Sequence, residues 1–225
     1  MDIANILSHV DHTLLKPEAT WDQIKNLCDE AMEFGCATVC IPPAWVKPVA
    51  DYVKGYLKIC TVIGFPNGYS TTAAKLFETK DAVENGASEI DMVLNLGMVK
   101  GRKWGDLIQE VKGVKAACLG RPLKVIIETC LLSDMEKVRL CQLLARAGAD
   151  YVKTSTGFST GGATREDVAL LRENLPEEVA IKASGGIRTL EEAQAYLDLG
   201  ADRIGASALV EAARQARNAA ERKTE

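Results

Sequence analysis

Gly148-Ala-Asp-Tyr-Val-Lys-Thr-Ser-Thr-Gly157 runs from a glycine that ends a helix, through a short strand, to a lysine and a turn of small residues. The same helix-ending glycine, with small residues and a strand behind it, recurs in Gly35-Cys-Ala-Thr-Val-Cys40, Gly86-Ala-Ser-Glu-Ile-Asp91 and Gly200-Ala-Asp-Arg-Ile-Gly205. Glycine suits the left-handed position just past a helix C-terminus, so each copy marks a helix-to-strand junction. Strand candidates centre on Val10, Val39, Val62, Asp91, Ile126, Lys153, Lys182 and Ile204, and the four copies introduce the second, fourth, sixth and eighth. Between them lie stretches of roughly 10 to 18 residues with helical periodicity. Their start signals include Thr20-Trp-Asp-Gln23, Ser133-Asp-Met-Glu136 and Thr189-Leu-Glu-Glu192. No linker or low-complexity segment divides the 225 residues. The pattern predicts a single domain over residues 1–225, an α/β fold of the (β/α)8 TIM-barrel class with a short N-terminal helix. An open doubly wound sheet is the alternative.

The repeat also predicts a layer. In such barrels four side chains from alternate strands fill each interior layer. The fifth residue after each glycine is Cys40, Asp91, Lys153 or Gly205. Asp91 and Lys153 are therefore expected to face each other, with Cys40 beside them and Gly205 leaving space. A second lysine, Lys182, sits inside the next strand in Ala180-Ile-Lys-Ala-Ser-Gly-Gly-Ile-Arg188. A buried ammonium costs several kcal/mol unless paired or neutralised. Two of them about 4 Å apart repel by about 4 kcal/mol at an effective dielectric near 20. That is enough to drive an ordinary lysine, near 10.4, toward neutrality around pH 7. A neutral amine is a nucleophile able to form a Schiff base with a carbonyl.

Three loops supply an anion site at one rim. Thr154-Ser-Thr-Gly157, Ser184-Gly-Gly-Ile-Arg188 and Gly205-Ala-Ser207 follow the sixth, seventh and eighth strands. Loops after the seventh and eighth strands commonly bind phosphate in this architecture. Their glycines let backbone N–H groups approach an anion closely.

Composition removes other classes. Charged residues make up 26% and the net charge is -4, which argues against a nucleic-acid or anionic-membrane partner. The N-terminus lacks the basic and apolar regions of a signal peptide, and no apolar run approaches a membrane span. Seven cysteines without a Cys-x-x-Cys pair point to reduced thiols in a cytoplasmic protein. With only His9 and His12, a three-histidine zinc site is impossible, and no metal is expected. Cys36 and Cys40 are expected to have no metal-ligand neighbours, and Cys40 needs no role beyond filling space. Trp21, Trp45 and Trp104 are too scattered for a sugar platform and read as packing or interface residues.

The segments around Lys153 and Lys182, with Gly161-Gly-Ala-Thr164, resemble the signatures of the deoxyribose-phosphate aldolase family. So do Val10-Asp-His-Thr13, Gly64-Phe-Pro-Asn-Gly68 with Thr72, Lys75 and Glu78, and Glu89-Ile-Asp-Met-Val93. The resemblance covers nearly the whole chain, in order. It implies reversible cleavage of 2-deoxy-D-ribose 5-phosphate to acetaldehyde and D-glyceraldehyde 3-phosphate, without metal or organic cofactor. By it Lys153 is the Schiff-base lysine, Lys182 the partner that lowers its pKa, and Asp91 the proton-relay carboxylate. It places Asp11, Thr13 and Cys40 around the substrate, and Gly157, Gly185, Gly186, Arg188, Gly205 and Ser207 near its phosphate. It also implies a homodimer or homotetramer.

Two departures stand out. Pro42 replaces the asparagine or aromatic residue more common in the family, and the tail Glu221-Arg-Lys-Thr-Glu225 lacks the terminal tyrosine of some members. The rival readings are a Schiff-base barrel aldolase for another phosphorylated sugar, a phosphosugar isomerase or epimerase, and a non-catalytic sugar-phosphate-binding protein.

Overall fold

The computed structural model describes residues 2–222, and eight parallel strands close into a barrel in chain order. The strands are β1 (Val10–Thr13), β2 (Thr38–Ile41), β3 (Ile59–Ile63), β4 (Glu89–Val93), β5 (Leu123–Ile126), β6 (Tyr151–Lys153), β7 (Ala180–Ser184) and β8 (Arg203–Ala206). Helix α1 (Ile3–Ser8) precedes them, and α2 (Trp21–Phe34), α3 (Val46–Val53) and α4 (Thr72–Glu84) follow the first three. Two helices, α5 (Leu96–Lys100) and α6 (Trp104–Ala117), lie between β4 and β5. The remainder are α7 (Asp134–Ala147), α8 (Arg165–Asn174), α9 (Leu190–Asp198) and α10 (Leu209–Glu221). The closed barrel excludes the open sheet, and α1 packs on α9 and α10. Of the tail singled out above, residues 223–225 lie outside the described residues.

Local chemistry explains the boundaries. Thr20 with Gln23, Ser133 with Glu136 and Thr189 with Glu192 each form a reciprocal capping box, so all three start signals act as read. Gly35, Gly86, Gly148 and Gly200 all take positive φ, between 68° and 107°. The four helix-ending glycines therefore set the register of the strands behind them. Helix α3 is short because Lys54 takes the left-handed conformation directly after it. Helix α5 and its separation from α6 were not expected from periodicity; Asn95 caps α5 and Gly101 ends it. Trp21 and Trp45 pack together with ring centroids 5.9 Å apart, and Tyr52 meets Trp21 edge-on, in line with a packing role.

The layer outside the barrel holds an ion pair of its own. Lys75 on α4 is wholly buried, and its Nζ donates to Glu110 Oε1 on α6 at 2.8 Å and to the Val93 carbonyl at 2.9 Å. Removing one partner leaves the other charge buried and unpaired, at a cost of about 3–5 kcal/mol. Lys75→Met is therefore expected to lose about that much stability in urea unfolding. The double variant Lys75→Met/Glu110→Leu is expected to recover most of it. A single variant as stable as the parent would show that the pair holds nothing together.

Candidate active site

The barrel register sets four pairs of neighbours around the interior. Cys40 lies beside Cys60, Asp91 beside Lys124, Lys153 beside Lys182, and Gly205 beside Asp11. The even strands contribute the first member of each pair, which is the layer the glycine repeat predicts. The odd strands interleave the second.

Asp91 is the hub. Its Oδ2 accepts from Lys153 Nζ at 2.9 Å and from Lys182 Nζ at 2.7 Å. Its Oδ1 accepts from Lys124 Nζ at 2.9 Å and from the Cys60 thiol at 3.1 Å. Lys182 also pairs with Asp11, which accepts from Thr38 and Arg203 as well. Lys124 contacts Glu89 at 2.6 Å, and Arg203 bridges Glu89 and Asp11. Gly205 makes room for this arrangement. A Cβ there would meet the Ser184 side chain at 2.7 Å and Lys182 Cε at 3.0 Å.

These contacts fix the charge states. Burial opposes ionisation of Asp91, but the ammonium groups of Lys124, Lys153 and Lys182 outweigh it and hold the carboxyl well below its ordinary range. Burial likewise opposes a charged Asp11, and Lys182, Lys124 and Arg203 overcome it. Lys182 is desolvated too, yet Asp11 and Asp91 hold its ammonium above the ordinary lysine range. The two amines, expected from sequence to repel with Asp91 in the same layer, thus share its carboxylate, and Lys182 has a second in Asp11.

Above the network lies a cavity of about 360 Å³ lined by Lys153, Thr13, Gly157, Gly185, Gly186, Gly205 and Ser207, among others. Hydrogen bonds fix its walls. The Glu128 carboxylate accepts from the Thr156 N–H at 3.2 Å, Thr154 Oγ1 donates to the Ser184 carbonyl, and Ser184 Oγ donates to the Ser155 carbonyl. The loops after β6 and β7 touch backbone to backbone, because a Cβ on Gly162 would fall 2.1 Å from the Gly185 oxygen.

Three of the expected substrate-binding residues do not line this cavity, and Asp91 and Lys182 are buried in the network that Lys153 joins. Asp11 is wholly buried, with its carboxylate taken up by Lys182, Arg203 and Thr38. Cys40 is wholly buried and packs with Cys60 and Val62 on the β2–β3 side. Arg188 is exposed at the start of α9, where its backbone N–H donates to the Glu192 carboxylate that caps the helix. Cys40 also has two ligand-type neighbours, Cys60 and Asp91, reached across strands rather than along the chain. That corrects the expectation that Cys40 has no metal-ligand neighbours.

Sequence reasoning missed Lys124 and Lys16. Lys124 is a third wholly buried strand lysine, and the signal that singled out Lys153 and Lys182 is present in Leu123-Lys-Val-Ile126. Lys16, in the loop after β1, lines the same cavity as the glycine loops. A second cavity of about 410 Å³ adjoins the first, sharing Leu15 and Phe158, and is lined mostly by apolar residues including Val62, Phe65 and Pro42. The family departure at Pro42 therefore falls on an apolar wall. The histidines are engaged elsewhere: His12 Nε2 lies 3.0 Å from Glu30, and His9 Nδ1 lies 2.8 Å from the Asn5 carbonyl oxygen. Among the described residues no helix is long and apolar enough to cross a membrane.

Known proteins give the geometry a context. A family model described as DeoC/LacD family aldolase matches residues 6–213. A deoxyribose-phosphate aldolase of Clostridioides difficile is 50% identical over 205 residues, covering 91% of this chain and 94% of the relative. One from Streptococcus pyogenes is 53% identical over 210 residues, covering 93% and 94%. The solved deoxyribose phosphate aldolase of Aeropyrum pernix, described as a unique tetramer, is 35% identical with a TM-score of 0.89, covering 96% of this chain and 92% of that one.

Proposed function

We propose that this chain, which belongs to the DeoC/LacD family of aldolases, reversibly cleaves 2-deoxy-D-ribose 5-phosphate to acetaldehyde and D-glyceraldehyde 3-phosphate through a Schiff base on Lys153. The observation that carries the mechanism is the sharing of one Asp91 oxygen by Lys153 and Lys182 at the floor of a glycine-rimmed cavity.

The network supports Lys153 as nucleophile by charge balance. Four cations (Lys124, Lys153, Lys182 and Arg203) face three carboxylates (Asp11, Glu89 and Asp91). Lys182 and Arg203 each contact two of these carboxylates and Lys124 three, whereas Lys153 contacts Asp91 alone. Lys153 is also the member that lines the cavity. Of the four it is the least tied by carboxylates and the one placed to attack a carbonyl.

The amine adds to the substrate aldehyde carbon, and uptake of one proton with loss of water gives an iminium. The iminium nitrogen keeps a single N–H where the ammonium had three, so fewer donors compete for Asp91. Asp91, through a water, takes the proton of the C3 hydroxyl. The C2–C3 bonding electrons flow into the iminium as an enamine, and glyceraldehyde 3-phosphate departs. Protonation of the enamine at C2 and hydrolysis release acetaldehyde and restore the amine. The iminium is the electron sink, so this route asks for no Lewis acid. The glycine loops with Ser207 hold the phosphate, and Lys16 supplies a counter-charge in the same cavity.

Oligomerisation and cytoplasmic residence belong to the same reading. The tetramer of the Aeropyrum relative supports a homodimer or homotetramer, and the free thiols fit a reducing compartment.

A substrate panel tests the reading. Deoxyribose 5-phosphate is expected to turn over fastest, yielding acetaldehyde in equal amount to glyceraldehyde 3-phosphate. Lys16→Ala is expected to raise its KM roughly fivefold, the worth of about 1 kcal/mol for an exposed charge contact, and to leave unphosphorylated deoxyribose unaffected. Faster turnover of another sugar phosphate would overturn the substrate. An equal effect of Lys16→Ala on both sugars would move the phosphate site.

A further inference from the structure

Strands β2 and β3 set Cys40 and Cys60 side by side, both pointing into the barrel and both wholly buried. The Cys60 sulfur lies 3.1 Å from Asp91 Oδ1, and the two sulfurs and a carboxylate oxygen all fall within 4.8 Å of one another. The reaction described above gives neither thiol a step. We propose that Cys40, Cys60 and Asp91 form an inhibitory binding site for a thiophilic divalent cation of the zinc and cadmium type.

Geometry and ligand chemistry both support the site. Two metal–sulfur bonds of about 2.3 Å at a tetrahedral angle set the sulfurs about 3.8 Å apart, so small side-chain rotations suffice. Thiolate ligands select zinc and cadmium over magnesium and calcium, which prefer all-oxygen sites. The apolar cavity lined by Leu15, Val62 and Phe65 offers a way in. Leu15 and Phe65 pack directly on the Cys40–Cys60–Val62 cluster.

The three ammonium groups around Asp91 are the evident objection, and proton balance answers it. The cation replaces two thiol protons, which leave to water, and forms two metal–thiolate bonds and one bond to the carboxylate. The net charge of the cluster is the same before and after, so Lys124, Lys153 and Lys182 face no added positive charge. On Asp91 Oδ1 the metal takes the place of the Cys60 thiol donor. Its charge draws on the carboxylate and prevents Asp91 from taking a proton. This inhibitory consequence rests on the proposed reaction; the binding itself does not.

The test titrates reduced, metal-free protein with cadmium without oxygen, following the thiolate-to-cadmium charge-transfer absorption, and assays aldolase activity with zinc. One equivalent of cadmium is expected to give the band in the parent and in Cys130→Ser, which alters the exposed thiol. Cys60→Ser keeps a hydroxyl donor for Asp91 but loses the soft ligand. It is expected to bind about a hundredfold more weakly or worse, since even groups supporting a ligand matter 10- to 100-fold. In the parent, free zinc at about ten times its Kd is expected to lower activity about tenfold, reversibly by chelator. The activity retained by Cys60→Ser is expected to ignore that concentration. No band in the parent, or an equal band in Cys60→Ser, overturns the site. Cadmium binding lost in Cys60→Ser, with no zinc inhibition of the parent, upholds the site and overturns the role of Asp91 in catalysis.

Discussion

Replacing Asp91 by asparagine is expected to slow cleavage of deoxyribose 5-phosphate by about 10²- to 10⁴-fold, the range typical of a lost acid–base group. Asparagine keeps the shape of the side chain but not its negative charge, and its amide N–H groups cannot accept from the ammonium groups. Lys153 and Lys182 lose the oxygen they share, and Lys124 loses one of its anions. Borohydride trapping at Lys153 is expected to survive far better than cleavage, because the amine then has no carboxylate holding its proton. Trapping and cleavage should therefore separate. A variant cleaving within tenfold of the parent would show that Asp91 is not the proton acceptor. The variant should also respond differently to acid. The Asp91 carboxyl is held well below its ordinary range in the folded protein. Its stabilising share is thus complete above the unfolded value, near 3.9, and is lost as pH falls toward the folded one. The asparagine variant should start less stable at neutral pH and lose less on acidification.

Lys182→Leu is expected to reduce the rate of imine formation at pH 7 about ten- to a thousandfold, with part of the rate recovered at higher pH. In the parent, Lys182 carries its charge and occupies the Asp91 oxygen that Lys153 also uses. Without it, Lys153 has that oxygen to itself and feels one positive charge fewer. Both changes favour its ammonium over the amine that attacks the aldehyde, so the profile moves in the alkaline direction. Single-turnover trapping against pH, for parent and variant, separates this effect from simple disruption. An unchanged pH profile with a lower plateau would make Lys182 a proton donor or a positioning group instead. Lys182→Arg keeps the charge but misplaces it in the space that Gly205 leaves. It should lose activity with a smaller alkaline shift.

The parts of this molecule that sequence makes legible are those decided locally. A helix-ending glycine with positive φ fixes where the next strand starts, so counting from Gly86 and Gly148 finds Asp91 and Lys153 in one layer. The three capping boxes are legible for the same reason, since each is made within four consecutive residues. What escapes is decided by side-chain direction and by neighbours across strands. Arg188 follows two glycines of the cavity wall, yet the capping of α9 fixes its backbone outside the cavity. Asp11 and Cys40 belong to the barrel interior, as their strands suggest, but are wholly buried rather than part of the cavity lining. Lys16 sits in a loop with no periodicity to read, and only closure of the barrel sets β1 beside β8 and brings it to the glycine loops. Cys60 gains meaning only from pairing with Cys40, a partner that spacing along the chain does not reveal. Lys124 is different, because an apolar strand with one lysine was visible and its three carboxylates were not.

The central claim is that Lys153 carries the substrate as an imine. Borohydride added to the protein with deoxyribose 5-phosphate, followed by intact-mass measurement and peptide mapping, tests it directly. The account predicts one reduced adduct per chain, on the peptide containing Lys153. An adduct on Lys182, Lys124 or Lys16 instead, or none in a preparation that is turning over substrate, would contradict it.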